Sequence, residues 1–184
     1  MTLTSPAISA TDFEKSVNDL WLEFLENWFD GQTHNVGRFQ NVEFPECNIA
    51  FQQSPIVQGE NKPDITITWL TNSTPKCVWD LRRDGSGEPD KVAEDRMSWI
   101  MWVRASGENR RLTCRNISDK LYLLMNNRSA TKSLVEKGMY GVESTTPMLI
   151  GSRRYDDRTG VTSYDMRHIS VSAWVRFEKG LMYE

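Results

Sequence analysis

The sequence predicts an α+β domain in which an antiparallel or mixed β-sheet is covered by two main helices. Three observations lead to this fold class: an amphipathic helix near the start, a second helix in the middle, and runs of alternating apolar residues around the second helix. Strands that follow one another through short turns favour such a sheet, and two helices can cover one of its faces. We assign residues 1–10 to a flexible N-terminal arm and residues 11–184 to a single domain with inserted loops.

The first helix is predicted from apolar, aromatic-rich residues that recur at three- and four-residue steps. Thr11 and Glu14 have the spacing of a capping box at its start, and Gly31 is a typical helix stop. The segment from Gln32 to Glu46 has no period and is predicted to be irregular. The apolar row consists of Phe13, Val17, Leu20, Trp21, Phe24, Leu25 and Trp28.

Strands are predicted between the two helices, at residues 48–53, 65–70, 76–81 and 94–105. In the second of them Ile65, Ile67 and Trp69 share one face, which is clean strand alternation. The last is apolar on both faces because Trp99 and Trp102 flank two further apolar residues. Such a strand is expected in the centre of a sheet or buried at a subunit contact.

A polar, glycine-containing segment runs from Asp84 to Asp90 and includes Glu88. We expect an exposed loop there, mobile in the free subunit and the first target of proteases, because it offers no apolar anchor. Its Gly85-Ser86-Gly87 run could suggest a phosphate-binding loop, but the acidic residues that follow would repel phosphate.

The second helix is predicted from about Asn109 to Asn126, and a short helical turn is predicted over residues 131–137. The apolar side of the second helix carries Leu112, Ile117, Leu121, Leu124 and Met125.

Strands are predicted at residues 139–144 and 147–154, followed by a turn at 156–160 and an unusually long strand over 161–177. One face of the long strand carries Ile169, Val171, Ala173, Val175 and Phe177, and the other carries Ser170, Ser172, Trp174 and Arg176.

Composition argues against several classes of protein. The chain has 22 Lys+Arg against 25 Asp+Glu, whereas dedicated DNA-binding proteins normally carry a basic surplus. Its three cysteines are widely spaced, which argues against a disulfide framework or a cysteine-rich zinc site. No apolar run approaches the roughly 20 residues that span a bilayer, and the first ten residues do not read as a secretory signal. We therefore expect a soluble protein that folds in a reducing compartment.

Residues that could carry chemistry are sparse. The two histidines, His34 and His168, belong to no metal-binding or catalytic motif, and no nucleophile elbow occurs. The Asp156-Asp157 pair is explained more simply by a turn. We expect no enzyme activity, no metal and no cofactor.

Two stretches resemble the C-terminal half of the tail terminator (neck ring) proteins of long-tailed bacteriophages. They are RNISDKLYLLMNNRSATKSLVEKGMYGVESTTPMLI, beginning at Arg115, and SYDMRHISVSAWVRF, ending at Phe177. The order of the preceding helix and strands is also similar. The chain departs from compact members of the family by extra residues at 32–64 and 71–95.

The resemblance implies a virion protein, assembled in the host cytoplasm, that forms a hexameric ring on the tail tube and joins it to the head-side neck. DNA would pass through the lumen without specific binding. Alternatives in the same class are a head–tail connector, a stopper or a tail tube subunit. A small cytosolic enzyme or ligand-binding domain is the alternative of another class. The candidate residues for contacts with other subunits or partners are Trp99, Trp102, Trp174, Arg176, Asp84 and Glu88.

Overall fold

The elements below come from a computed structural model that describes residues 13–51, 62–70, 92–157 and 160–178. In chain order they are α1 (Phe13–Glu26), β1 (Thr33–Val36), β2 (Phe39–Glu43), β3 (Asn48–Phe51), β4 (Asp64–Trp69), β5 (Val92–Ser106), α2 (Arg110–Met125), α3 (Lys132–Glu136), β6 (Met139–Ser144), β7 (Met148–Asp157) and β8 (Gly160–Glu178). The predicted arm, the predicted strand 76–81 and the predicted loop from Asp84 to Asp90 lie outside the described residues.

A six-stranded mixed sheet forms the centre of the fold, with the order β3-β4-β5-β8-β6 and with β7 also paired to β8. β3 is parallel to β4, and all other neighbours in this sheet are antiparallel. β1 and β2 form a separate antiparallel hairpin. Together with the three helices this arrangement confirms the predicted α+β fold with a mixed sheet.

The sheet has one face that packs against the helices, here called the covered face. Directly opposed residues of neighbouring strands share a face, so the pairs Trp69–Trp99 and Trp99–Val171 place all three side chains together. The Trp21 ring of α1 lies 5.2 Å from the Trp99 ring, and the Cys114 thiol of α2 donates to the carbonyl oxygen of Val103 at 3.3 Å. Both long helices therefore cover this face, as predicted.

The opposite face, here called the open face, carries the alternate residues of the same strands. Most of these side chains are half-buried, whereas Thr66 is buried and Arg96, Glu143 and Met148 are exposed. Its described members on the two longest strands include Ser98, Ile100, Trp102, His168, Ser170, Ser172 and Trp174.

The first helix is shorter than predicted, because α1 ends at Glu26 and Gly31, with φ of 81°, follows after a further turn. In α2 the predicted apolar side holds except at Leu112, which is 68% exposed. Leu112 lies in the first turn of the helix, and the residues of α2 that are buried begin only at Cys114.

The segment predicted to be irregular, Gln32 to Glu46, contains the β1–β2 hairpin, so that prediction was wrong. The hairpin turns at Gly37, whose φ is 57°, and packs one buried side chain, Val36, into the core. Most of its other residues are exposed, and its burial does not alternate along β2. Strand alternation in sequence arises from burial of one face, and an exposed hairpin does not show it.

β6 and β7 pair one after the other along the same side of β8, and together they are here called the outer strand. Their register against β8 shifts by one residue between Tyr140 and Glu143, and again between Leu149 and Gly151. Gly141 and Gly151, with φ of 60° and 113°, lie at these shifts. Each shift is a β-bulge, in which one extra residue bends the strand and increases its twist. The pairing of β5 with β8, in contrast, has no register shift along its whole length.

Gly37→Ala should destabilise the protein by about 1–3 kcal/mol. A Cβ at this position would lie 2.6 Å from Nδ2 of Asn127. That side chain is held in place because its Oδ1 accepts from the backbone N–H groups of Ser129 and Ala130, at 3.0 and 3.2 Å. Urea unfolding of the variant provides the measurement.

Gly107→Ala is the matched control for Gly37→Ala. Gly107 also has a positive φ, of 88°, but a Cβ there would meet nothing within 4 Å. The control carries the backbone strain without the clash, so it should cost less than Gly37→Ala. Equal losses in the two variants would show that contact with Asn127 is unimportant.

Candidate functional site

An exposed apolar stretch lies at the start of β7, on the outer strand. Met148, Leu149 and Ile150 are 56%, 48% and 37% exposed. β7 pairs with β8 on one side, and no strand among the described residues pairs with its other side. Exposed strand edges with apolar side chains tend to pair with another chain. This stretch, here called the apolar edge, is the strongest candidate for a contact surface in the described part of the chain.

A two-stranded ribbon extends the sheet beyond β5. The pairing of β5 with β8 ends at Ser106 and Tyr164, whereas β7 and β8 stay paired as far as Asp157 and Gly160. Within the described ranges, residues 154–157 and 160–163 therefore pair only with each other. The 19 residues of β8 span roughly 60 Å at about 3.3 Å per residue. This ribbon is a second candidate contact element.

The open face combines polar and aromatic side chains. Arg96 donates to Glu143 at 2.9 Å and to the Ser172 hydroxyl at 3.1 Å, so its charge is compensated within the subunit. Nearer the C-terminal end of β5, the Trp102 and His168 rings lie 5.3 Å apart. Paired charges and half-buried aromatic rings suit a surface that meets either water or another subunit.

The candidate interface residues named from the sequence do not form one cluster. Trp99 is fully buried among the core aromatics, with its ring 5.3 Å from that of Trp69, and it has no surface to offer a neighbouring subunit. Trp102 and Trp174 both lie half-buried on the open face. Trp102 is opposite His168, six positions before Trp174 on β8, which separates the two tryptophans by roughly 20 Å.

Two of the remaining candidates, Asp84 and Glu88, lie outside the described residues. Arg176 has its guanidinium carbon 5.5 Å from the centre of the Tyr140 ring, on the open face. Tyr140 is opposite Trp174, and a Cβ on Gly141 would lie 3.2 Å from Cδ1 of Trp174. Trp174 therefore packs partly against its own subunit, and Trp174→Ser would disturb the outer strand as well as any contact there.

The apolar edge was missed as a contact surface when only the sequence was considered. A signal was present in the sequence, because Met148, Leu149 and Ile150 are consecutive apolar residues. A strand with one solvent-exposed face should instead alternate apolar and polar residues. The same signal directed attention to strand β5 instead, where one side of the apolar run faces the helices. Sequence alone does not distinguish a central strand from an outer one.

The described residues contain no group of three or more His, Cys, Asp or Glu side chains that could hold a metal ion. His34 lies on β1, where its Nε2 contacts Oδ1 of Asp30 at 2.8 Å. This contact lowers the pKa of the Asp30 carboxyl. The Trp28 and Phe44 rings lie 5.1 and 5.7 Å from the His34 ring, so His34 packs between the segment that follows α1 and the residue that follows β2.

Burial raises the pKa of the Cys47 thiol to about 12 and that of Cys114 to about 11, from 9.0. The unfolded chain therefore releases these protons first, and stability should fall as the pH rises from about 9 towards 12. We expect the free energy of unfolding to fall less steeply over this range in the Cys47→Ala/Cys114→Ala variant than in the wild type. Urea titrations at several pH values measure both slopes, and parallel slopes would contradict the prediction.

The chain matches no protein-family model and no curated protein. None of the helices in the described ranges is long and apolar enough to cross a membrane.

Proposed function

We propose that this chain is a structural virion subunit that forms a ring of the tail terminator kind, closing a phage tail tube and joining it to the head-side neck. The single observation that carries the proposal is the β7–β8 ribbon that extends beyond β5. The sequence resemblance beginning at Arg115 supports a ring of the tail terminator kind in particular.

The ribbon offers a surface on which a partner can pack. An isolated two-stranded hairpin is at best marginally stable in water, and this ribbon, which is joined to the large sheet at one end only, would gain stability from a further surface packed against it. In a ring, each ribbon can lie against the adjacent subunit, and the contact repeats around the axis. Such a contact is heterologous, because one surface of each subunit meets a different surface of the next. The β7–β8 ribbon and the body of the neighbour provide two such surfaces.

The open face suits the channel side of the ring. A channel that lets DNA pass should not hold it, and phosphate binding requires uncompensated cations. Arg96 on this face is compensated by Glu143, at 2.9 Å. The chain as a whole has a net charge of −3 and no basic surplus. These features support passage of DNA through the ring without specific binding.

Electron microscopy of the purified protein, alone and mixed with tail tubes from the source virion, tests this function. We expect rings with a central channel, and rings seated on the tube ends in the mixture. Particles of single subunits that leave the tube ends bare would overturn the proposal.

A ribbon-shortened variant tests the observation that carries the proposal. Residues 155–162 are replaced by Asn-Gly, which forms a two-residue hairpin turn between the paired residues Arg154 and Ser163. The core strands are untouched, so the subunit should unfold at nearly the wild-type urea concentration while ring formation is lost. Intact rings in this variant would show that the ribbon is dispensable for assembly.

A further inference from the structure

The two edges of the large sheet are complementary in position and direction. Among the described residues, β3 forms one edge, and the outer strand forms the other. Following the pairings across the sheet, β3 and β4 run one way, β5 the opposite way, β8 again with β4, and β7 against β8. β7 therefore runs antiparallel to β3 at the opposite edge of the same sheet.

This direction matters when copies are arranged around an axis parallel to the strands. Rotation about such an axis keeps the strand direction of every copy. β3 of one copy would then meet β7 of the next in an antiparallel arrangement, which is the more stable type of pairing. Each copy would use both edges once, so the contact is heterologous and can close into a ring.

We propose that the apolar edge of β7 pairs with β3 of a second copy of this chain, with Leu149 opposite Ile49 and Met148 opposite Ala50. This inference rests on the proposed ring and names the surfaces that close it. The partner of the apolar edge is thus another subunit and not a different protein.

The register follows from the faces of the sheet. Leu149 pairs with Arg167 and Ile49 with Ile65, and both positions belong to the covered face. Met148 pairs with His168 and Ala50 with Thr66, which belong to the open face. Opposed residues in a ladder must share a face. Pairing Leu149 with Ile49 meets that condition and extends the apolar layer of the covered face across the subunit boundary.

Engineered disulfides test this pairing directly. Ala50→Cys and Met148→Cys are introduced together, in a background where Cys47, Cys77 and Cys114 are replaced by Ala, after that background is shown to form rings. Opposed residues in an antiparallel pair bring Cβ atoms to roughly 4.5–5.5 Å, which a small backbone adjustment brings into disulfide range. Mild oxidation should then give a ladder of covalent oligomers on denaturing gels, up to the closed ring.

The control variants separate this edge contact from random collision. Each single variant should stay monomeric on the gel, and an equimolar mixture of the two should give covalent dimers. Ala50→Cys with Val135→Cys is the matched pair, because Val135 is 44% exposed and lies on α3 rather than on β3 or β7. We expect at least a tenfold higher yield of cross-links from the edge pair than from this control.

Three results would overturn the proposed pairing. Rings that give no more cross-links than the control leave the proposed function standing and show that another surface closes the ring. Covalent dimers of Met148→Cys alone show that two apolar edges pair with each other in a symmetric dimer. Monomeric protein that neither assembles nor cross-links removes both the pairing and the proposed function.

Discussion

A chain that ends at Gly160 is expected not to fold. Such a chain lacks nearly all of β8, which pairs with β5 on one side and with β6 and β7 on the other. It also loses four apolar side chains that are fully or almost fully buried on the covered face: Ile169, Val171, Ala173 and Val175. Burial of a large apolar side chain contributes roughly 1.5–3 kcal/mol, and a whole domain has only about 5–15 kcal/mol of net stability.

Circular dichroism and the dispersion of amide resonances measure the outcome. The truncated chain should show no cooperative thermal transition. A chain that ends at Glu178 is the control, because it retains every strand pairing of β8. A cooperative transition in the shorter chain would mean that β8 is not the central strand of the fold.

Trp21→Ala should lower the free energy of unfolding by about 3–5 kcal/mol, the range observed for large aromatic residues in cores. Trp21 has no exposed surface, and its ring lies 6.1 Å from Phe24 and 5.2 Å from Trp99. The change removes the contact by which α1 is anchored to β5. Urea unfolding of the variant and the wild type gives the difference.

Leu112→Ala is the matched control for Trp21→Ala. Leu112 is also a large apolar helix residue but is mostly exposed, so its loss should change stability by no more than about 0.5 kcal/mol. A large loss at Leu112 together with a small loss at Trp21 would mean that the helices are rotated relative to the positions described above.

The strands of the large sheet were predictable because burial on one face produces a period of two. Ile65 and Ile67 on β4, and Ile169 and Val171 on β8, alternate with polar residues in the sequence and are fully or almost fully buried in the structure. The β1–β2 hairpin was not predictable by this criterion, because Val36 is its one fully buried side chain. The local pattern of apolar residues reflects which side chains are buried, and few side chains of this hairpin are buried.

The contact surfaces were less predictable than the fold. Trp99 and Met148 both belong to consecutive apolar residues, yet one is buried in the core and the other is more than half exposed. The difference depends on strand order, which places β5 between β4 and β8 and leaves β7 at the edge. Strand order depends on pairing between segments that are distant in the chain, so the local periodicity of the sequence does not reveal it.

The mass of the intact chain in solution, measured over a range of concentrations by light scattering and native mass spectrometry, tests the proposed ring most directly. We expect a closed assembly of six copies that dissociates without populating longer open chains, because both edges of every subunit are used. A chain that stays monomeric at high concentration, both alone and in the presence of its tail tube, would contradict the proposed ring.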